Sequence, residues 1–290
     1  MSRINTHNVK EHTNFEIFES PEEYLTYLNE RAYAHRSESS YYSDKEFYGG
    51  TWEDGIRDLT HGTNRHVQRA QELINKMADQ HVFSSHQPVI EASVVGFMPN
   101  VAAGVAGLPL DMYNTAISDE QNITTPIKIY VETLVSGGVT TEELESRGVC
   151  VMALALAMNN IRPVELYTIC IGKPYSANKS GGIVCHIPTK PLDINRAALM
   201  LCDALYYRML AFAAIKHKAN SMDDHLQWPW DNEPTRSDHE PLMRSLLDMS
   251  PEDVFIPGGY LFDKLMKKDP IQWVKNMISK HQGEANADYC

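Results

Sequence analysis

The apolar positions of this chain follow two rhythms, and the places where one gives way to the other mark its elements. Ile127–Val135, IKIYVETLV, is apolar and β-branched, as expected for a strand buried on both faces. A turn at Ser136-Gly137-Gly138 follows, and Thr140 and Thr141 are both suited to cap a helix. Thr141-Glu-Glu-Leu-Glu145 leads into the apolar run Val149–Met158, and Pro163 precedes a second strand, VELYTICI. Strand, helix and strand in that order predict a parallel α/β unit, and the turn after its first strand is where such sheets place ligands.

Around this unit the pattern predicts three regions that pack as one compact domain. Residues 1–86 read as a helical N-terminal region packed on the core. There Ser20-Pro-Glu-Glu supplies an N-cap, a proline at the first helical position and acids in the first turn. Tyr24, Leu25, Leu28 and Ala32 continue that helix as an apolar stripe. Thr51-Trp-Glu-Asp starts a short helix that Gly62 ends, and Thr63–Gln80 carries Val67, Ala70, Ile74 and Met77 on one face.

Residues 87–219 are expected to hold the sheet. They include the strand candidate PVIEASVVGFM, the unit above, a strand at Ile183–Ile187, and a long helix from Leu192 through Ala197, Met200, Leu201, Leu205, Met209 and Phe212. Residues 220–290 read as an irregular acidic segment in which Pro229, Pro234 and Pro241 forbid a continuous helix, followed by short helices including Asp269–His281. The predicted class is α/β, with α+β as the alternative: a mixed, mostly parallel sheet flanked by helices.

Composition narrows this little. With 43% hydrophobic and 22% charged residues over 290 positions, the chain is ordinary for a soluble globular protein. No apolar run approaches the roughly 20 residues that span a bilayer, and the polar start MSRINTHNVKEHTNF has no signal-peptide core. Five cysteines show no CxxC spacing, and Cys150, Cys170, Cys185 and Cys202 fall inside apolar segments, which suits buried thiols in a reducing compartment. The net charge of −12 argues against a simple polycationic DNA-binding surface, although charge can be segregated.

Most candidate chemistry fails on spacing. A von Willebrand factor A domain would place Asp-x-Ser-x-Ser after the first strand, where hard oxygens bind magnesium. Here Glu132, Leu134 and Ser136 hold those positions, and leucine cannot coordinate a cation. The expectation is a degenerate von Willebrand A-like core without a metal. Gly137-Gly138 matches neither GxxxxGK[ST] nor GxGxxG, and Gly-x-Ser-x-Gly is absent. His217, His225 and His239 have no metal-site spacing. No enzyme activity and no cofactor are expected.

What remains is aromatic residues interleaved with basic ones. Arg36, Tyr41, Tyr42, Lys45, Tyr48 and Trp52 lie within one loop and its flanks, near Tyr33, and Arg65, Arg69 and Lys76 follow on a helix. Lys173, Tyr175 and Lys179 form a second group after the strand that ends at Ile171. Single-stranded nucleic acid is held by stacking bases on rings while cations follow the backbone, so these twelve residues are the candidate DNA-binding set. The competing reading is that the tyrosines anchor the loop to the sheet, and Glu38, Asp44 and Glu46 dilute the basic character.

Several segments also carry a resemblance. They are FYGGTWEDGIRDLTHG, VVGFMPNVAAGVAGLPLDM, IKIYVETLVSGGVTTEELESRGVCVMALALAM with its Arg147-Gly148, RPVELY, and KPLDINRAALMLCDALYYRMLAFA, together covering most of residues 47–215. They resemble the Drc-type family of single-stranded-DNA-binding transcription cofactors of lytic podoviruses with their own RNA polymerase. The resemblance implies an early bacteriophage protein, non-sequence-specific toward single-stranded DNA, in the cytoplasm of the infected bacterial host. The implied partners are single-stranded DNA and a phage RNA polymerase, with no membrane. A homo-oligomer is also expected, since several linked sites hold an extended strand more tightly. The alternative is a non-catalytic protein-interaction adaptor or virion structural protein of degenerate von Willebrand A type.

Overall fold

The computed structural model describes residues 5–7, 13–35, 47–80, 89–93, 98–99, 112–116, 125–133, 135, 138–159, 162–172, 180–189, 192–221, 240–241, 243–245, 247–258 and 264–287. The chain opens with strands β1 (Asn5–His7) and β2 (Thr13–Phe18), then helix α1 (Pro21–Tyr27), which runs on through a π-helical turn at Leu28–Ala32 and a 3-10 turn at Tyr33–His35. Helices α2 (Trp52–His61) and α3 (Val67–Asp79) precede three short strands, β3 (Val89–Ser93), β4 (Met98–Pro99) and β5 (Met112–Ala116). The expected central unit follows as β6 (Ile127–Glu132), α4 (Thr141–Asn159) and β7 (Val164–Gly172). After β8 (Ser180–Ile187) come α5 (Ile194–Cys202), a π-helical turn at Tyr206–Leu210, α6 (Ala211–Ser221), β9 (Val254–Ile256), α7 (Lys264–Lys268) and α8 (Pro270–Ala287).

The main sheet has the order β1-β2-β8-β7-β6-β9. β6 pairs in parallel with β7 and β9, and β2 with β8, whereas β7–β8 and β1–β2 are antiparallel, so the fold is mixed α/β. Register places Val254, Ile129, Leu166 and Ile187 in one row across four strands, all buried against the helices. The neighbouring row, Phe255, Tyr130, Tyr167 and His186, points to the other face, where a smaller cluster with Phe15, Ile169, Val184 and Met243 forms. Helix α4 is apolar almost all round and is accordingly central. Nine consecutive residues, Arg147 to Ala155, are buried, and α3, α5, α7 and α8 all pack against the helix.

The caps fall where the sequence placed them. Thr140 Oγ1 accepts from the Glu143 amide while the Glu143 carboxylate accepts from the Thr140 amide, and Thr51 and Asp54 repeat this reciprocal capping on α2. Gly148 has a packing reason: a Cβ there would lie 2.1 Å from the Leu201 carbonyl oxygen, so only glycine lets α5 approach α4 so closely. Cys150, Cys170, Cys185 and Cys202 are free and buried, and burial pushes the Cys150 thiol up to about 12.

Four expectations need correction. The N-terminal region is not wholly helical, because β2 is an inner strand of the sheet. Its apolar residues Phe15, Ile17 and Phe18 face opposite sides of the sheet, which left too weak a period to read. The strand candidate beginning at Pro88 joins a separate antiparallel sheet of order β3-β5-β4. The C-terminal region contributes the edge strand β9, too short at three residues to stand out in sequence. The long helix from Leu192 breaks at Asp203: α5 and the stretch Tyr206–Lys218 are inclined by 63°, and among the described residues no single helix is long and apolar enough to cross a membrane.

Candidate functional site

The carboxyl end of β6 is occupied by the protein itself. Glu132, 5% exposed, accepts the Gly258 amide at 2.7 Å. Arg147, 1% exposed on α4, reaches the same place. Its Nη2 lies 2.9, 2.9 and 2.7 Å from the carbonyl oxygens of Glu132, Ile256 and Pro257, and its Nη1 donates to the Tyr207 hydroxyl at 3.0 Å. Tyr207 in turn donates to the Leu201 carbonyl at 2.9 Å. A guanidinium therefore sits where the parallel strands β6 and β9 end, and its positive charge meets the carbonyl dipoles that an ion would have met. Leu134, Ser136 and Gly137 lie outside the described residues. Among the described residues no group of three His, Cys, Asp or Glu side chains is arranged to hold a metal ion.

A second cluster lies on another flank of α4. His66 starts α3 with φ 66, a left-handed conformation unusual for histidine. Its Nδ1 is 2.9 Å from Glu145 Oε1 and its Nε2 3.2 Å from Asp203 Oδ2, so the ring bridges α4 and the break after α5. Asp203 is 4% exposed, and its other oxygen accepts the Leu205 amide at 2.9 Å, restarting the helix after the break. Burial alone would push the His66 pKa down, but the hydrogen bonds and charges of Asp203 and Glu145 outweigh it and hold the imidazole above 6.5.

Arginines surround this histidine. Arg65 pairs with Asp58 and lies 3.1 Å from Asp203, Arg69 pairs with Glu145 and donates to Ser146 Oγ, and Arg57 pairs with Asp54 and Asp58. Arg57, Arg65 and Arg69 remain 60%, 39% and 44% exposed, each held from behind while one edge faces solvent. With Asp54, Asp58, Glu145 and Asp203 opposite them, the cluster is close to charge-neutral.

The sequence-derived candidates divide three ways. Arg65, Arg69 and the exposed Lys76 share α3 or its approach. Tyr48 and Trp52, both 5% exposed, are core residues and present no free ring face for stacking. Trp52 shares the inner face of α2 with the buried Gly55 and Leu59, a helical period that a count of aromatics alone overlooks. Tyr33 packs edge-on against Trp52 and is 43% exposed, the one large hydrophobic side chain so exposed among the described residues. Arg36, Tyr41, Tyr42, Lys45, Lys173, Tyr175 and Lys179 lie outside the described residues.

Sequence reasoning also passed over the lysines of α7 and α8, because in the last region only the acidic segment before these helices was weighed for charge. The available signal was local: residues 264–280 hold Lys264, Lys267, Lys268, Lys275 and Lys280 against the single acid Asp269. His66 offered none, since its two partners come from remote segments.

The chain belongs to the family described as domain of unknown function DUF7192, which matches residues 5–258. No curated protein and no solved structure matches it.

Proposed function

We propose that this protein is a non-catalytic, non-sequence-specific single-stranded-DNA-binding protein that serves as a cofactor for transcription by a phage RNA polymerase. The observation that carries the reading is the row Arg57, Arg65 and Arg69, half-exposed and oriented by carboxylates behind them. Guanidinium planes fixed in this way suit both phosphate oxygens and the faces of unstacked bases. Tyr33 adds an exposed ring, and the segment between it and Phe47 carries Arg36, Tyr41, Tyr42 and Lys45. The resemblance of most of residues 47–215 to single-stranded-DNA-binding transcription cofactors supports the same reading and supplies the polymerase.

Because the arginine cluster is nearly neutral, its share of the affinity comes from stacking more than from counterion release. Anisotropy titrations of labelled oligo(dT) and of a duplex over a range of salt test this. The single strand is expected to bind more tightly, and Tyr33→Ala to weaken it by about 1–3 kcal/mol, the worth of one stacked base. Equal and negligible binding of both probes at low salt overturns the proposal. Capture of a phage RNA polymerase that survives nuclease, without DNA binding, would favour an adaptor instead.

A further inference from the structure

We infer that the seam between α3 and the C-terminal helices α7 and α8 is a lysine-walled track for the sugar–phosphate backbone of the bound strand. The inference rests on the single-stranded-DNA reading and adds to it a place for the electrostatic contacts that the neutral arginine cluster does not supply.

Contacts with two turns of α4, Glu143 to Cys150, define the seam. On one side Arg69 of α3 holds Glu145 and Ser146. On the other, Lys267 of α7 lies 3.4 Å from Glu143, and the Cys150 thiol reaches the carbonyl of Met266 at 3.5 Å. Cys150 also feels the charge of Arg69, so α3 and α7 flank the same stretch of α4. Further along, Lys275 Nζ lies 3.2 Å from Gln80 Oε1, which joins α8 to the end of α3.

The α7–α8 wall is basic, and α3 adds Arg69 and Lys76. Arg69 and Lys76 lie two turns apart on α3, with Glu72, which accepts from Gln68, between them. On the other side Lys267 is 64% exposed beside Glu143, Lys275 is half-buried against Gln80, and Lys268 and Lys280 are exposed on the same two helices. The nearby acids are Glu72, Asp79, Glu142, Glu143, Glu145 and Asp269, of which Glu145 is held by Arg69. Glu143 meets Lys267 only in an exposed pair at 3.4 Å, the kind that contributes little and yields readily to a phosphate. A strand leaving the arginine cluster would pass through Arg69, which belongs to both sites. In a chain of net charge −12, five lysines against one acid over residues 264–280 is a pronounced local reversal.

The test compares wild type, the triple variant Lys267→Gln, Lys268→Gln, Lys280→Gln, and Tyr33→Ala, in oligo(dT) titrations over a range of KCl. All three lysines are exposed, so the triple variant is expected to melt with wild type, which thermal unfolding checks. Each phosphate neutralised on a single strand contributes about 0.7 to the slope of log K against log salt, so the triple variant should lose about 2 from that slope. Its low-salt affinity should fall at least tenfold. Tyr33→Ala should lower affinity with the slope unchanged. A triple variant with wild-type slope and affinity overturns the track and leaves the single-stranded-DNA reading standing. Wild-type protein that binds no oligo(dT) removes both.

Discussion

Arg147 and the row Arg57–Arg65–Arg69 use the same side chain for opposite ends. Arg147 is 1% exposed and spends its donors on backbone carbonyls and a tyrosine that belong to three separate stretches of chain. Those partners are fixed by the sheet and cannot exchange. The row on α2 and α3 is half-exposed and pairs with carboxylates, which a phosphate can replace in kind. Burial and partner type, rather than residue type, separate a guanidinium that holds strands together from one able to meet a ligand.

The largest effect is expected at Arg147. Arg147→Met removes every donor that closes the ends of β6 and β9 and leaves buried carbonyls and Glu132 beside an apolar chain. Breaking a buried charged contact of this kind costs about 3–5 kcal/mol, which urea denaturation would register as a large fall in midpoint. Arg147→Lys should recover little, because an ammonium lacks the planar fork that spans Tyr207 and three carbonyls. A loss as small as that of a surface substitution would erase the contrast between the two sites.

His66 should give an intermediate, pH-dependent effect. Its folded pKa lies above 6.5, so its bridge contributes fully below that value and is lost as pH rises through the folded pKa. The stability difference between wild type and His66→Asn should therefore shrink as pH rises above 6.5; asparagine is the replacement that best tolerates the positive φ at this site. Denaturation at a series of pH values measures it, and a constant difference would mean that the ring acts only as a spacer.

The smallest effect belongs to Arg69. Arg69→Ala removes an exposed pair with Glu145 and should change stability by less than about 1 kcal/mol. The same variant should visibly weaken oligo(dT) binding. Loss of stability without loss of binding would move Arg69 to the structural side of the comparison.

The unit from Ile127 to Ile171 was legible because it is local: an apolar strand, a capped apolar helix and a second strand follow one another within the reach of ordinary periodicity. Arg147 was visible only as part of a resemblance, since its partners Pro257 and Tyr207 become neighbours only through tertiary packing. Trp52 and Tyr48 illustrate a different limit. Aromatic residues beside basic ones suit a stacking surface and a buried anchor equally, and the deciding fact is which face of α2 turns inward. The lysines of α7 and α8 were readable as a local charge excess, but the acidic stretch before them set the tone for the whole region.

The order of strands has a consequence for how the chain is made. β6, β7 and β8 come from adjacent stretches, whereas β2 at one side pairs with β8 and β9 closes the other side against β6. During synthesis β2 emerges early and has no parallel partner until Ser180–Ile187 has followed it out. Arg147 likewise waits for Ile256 and Pro257 before its donors are satisfied. The nascent chain should thus carry an inner strand without its parallel partner, and then an interior cation without its carbonyls, until the later segments emerge, and late pairing of distant segments is slow. The interval between the first strand and the last is a window in which chaperone binding is expected to matter most.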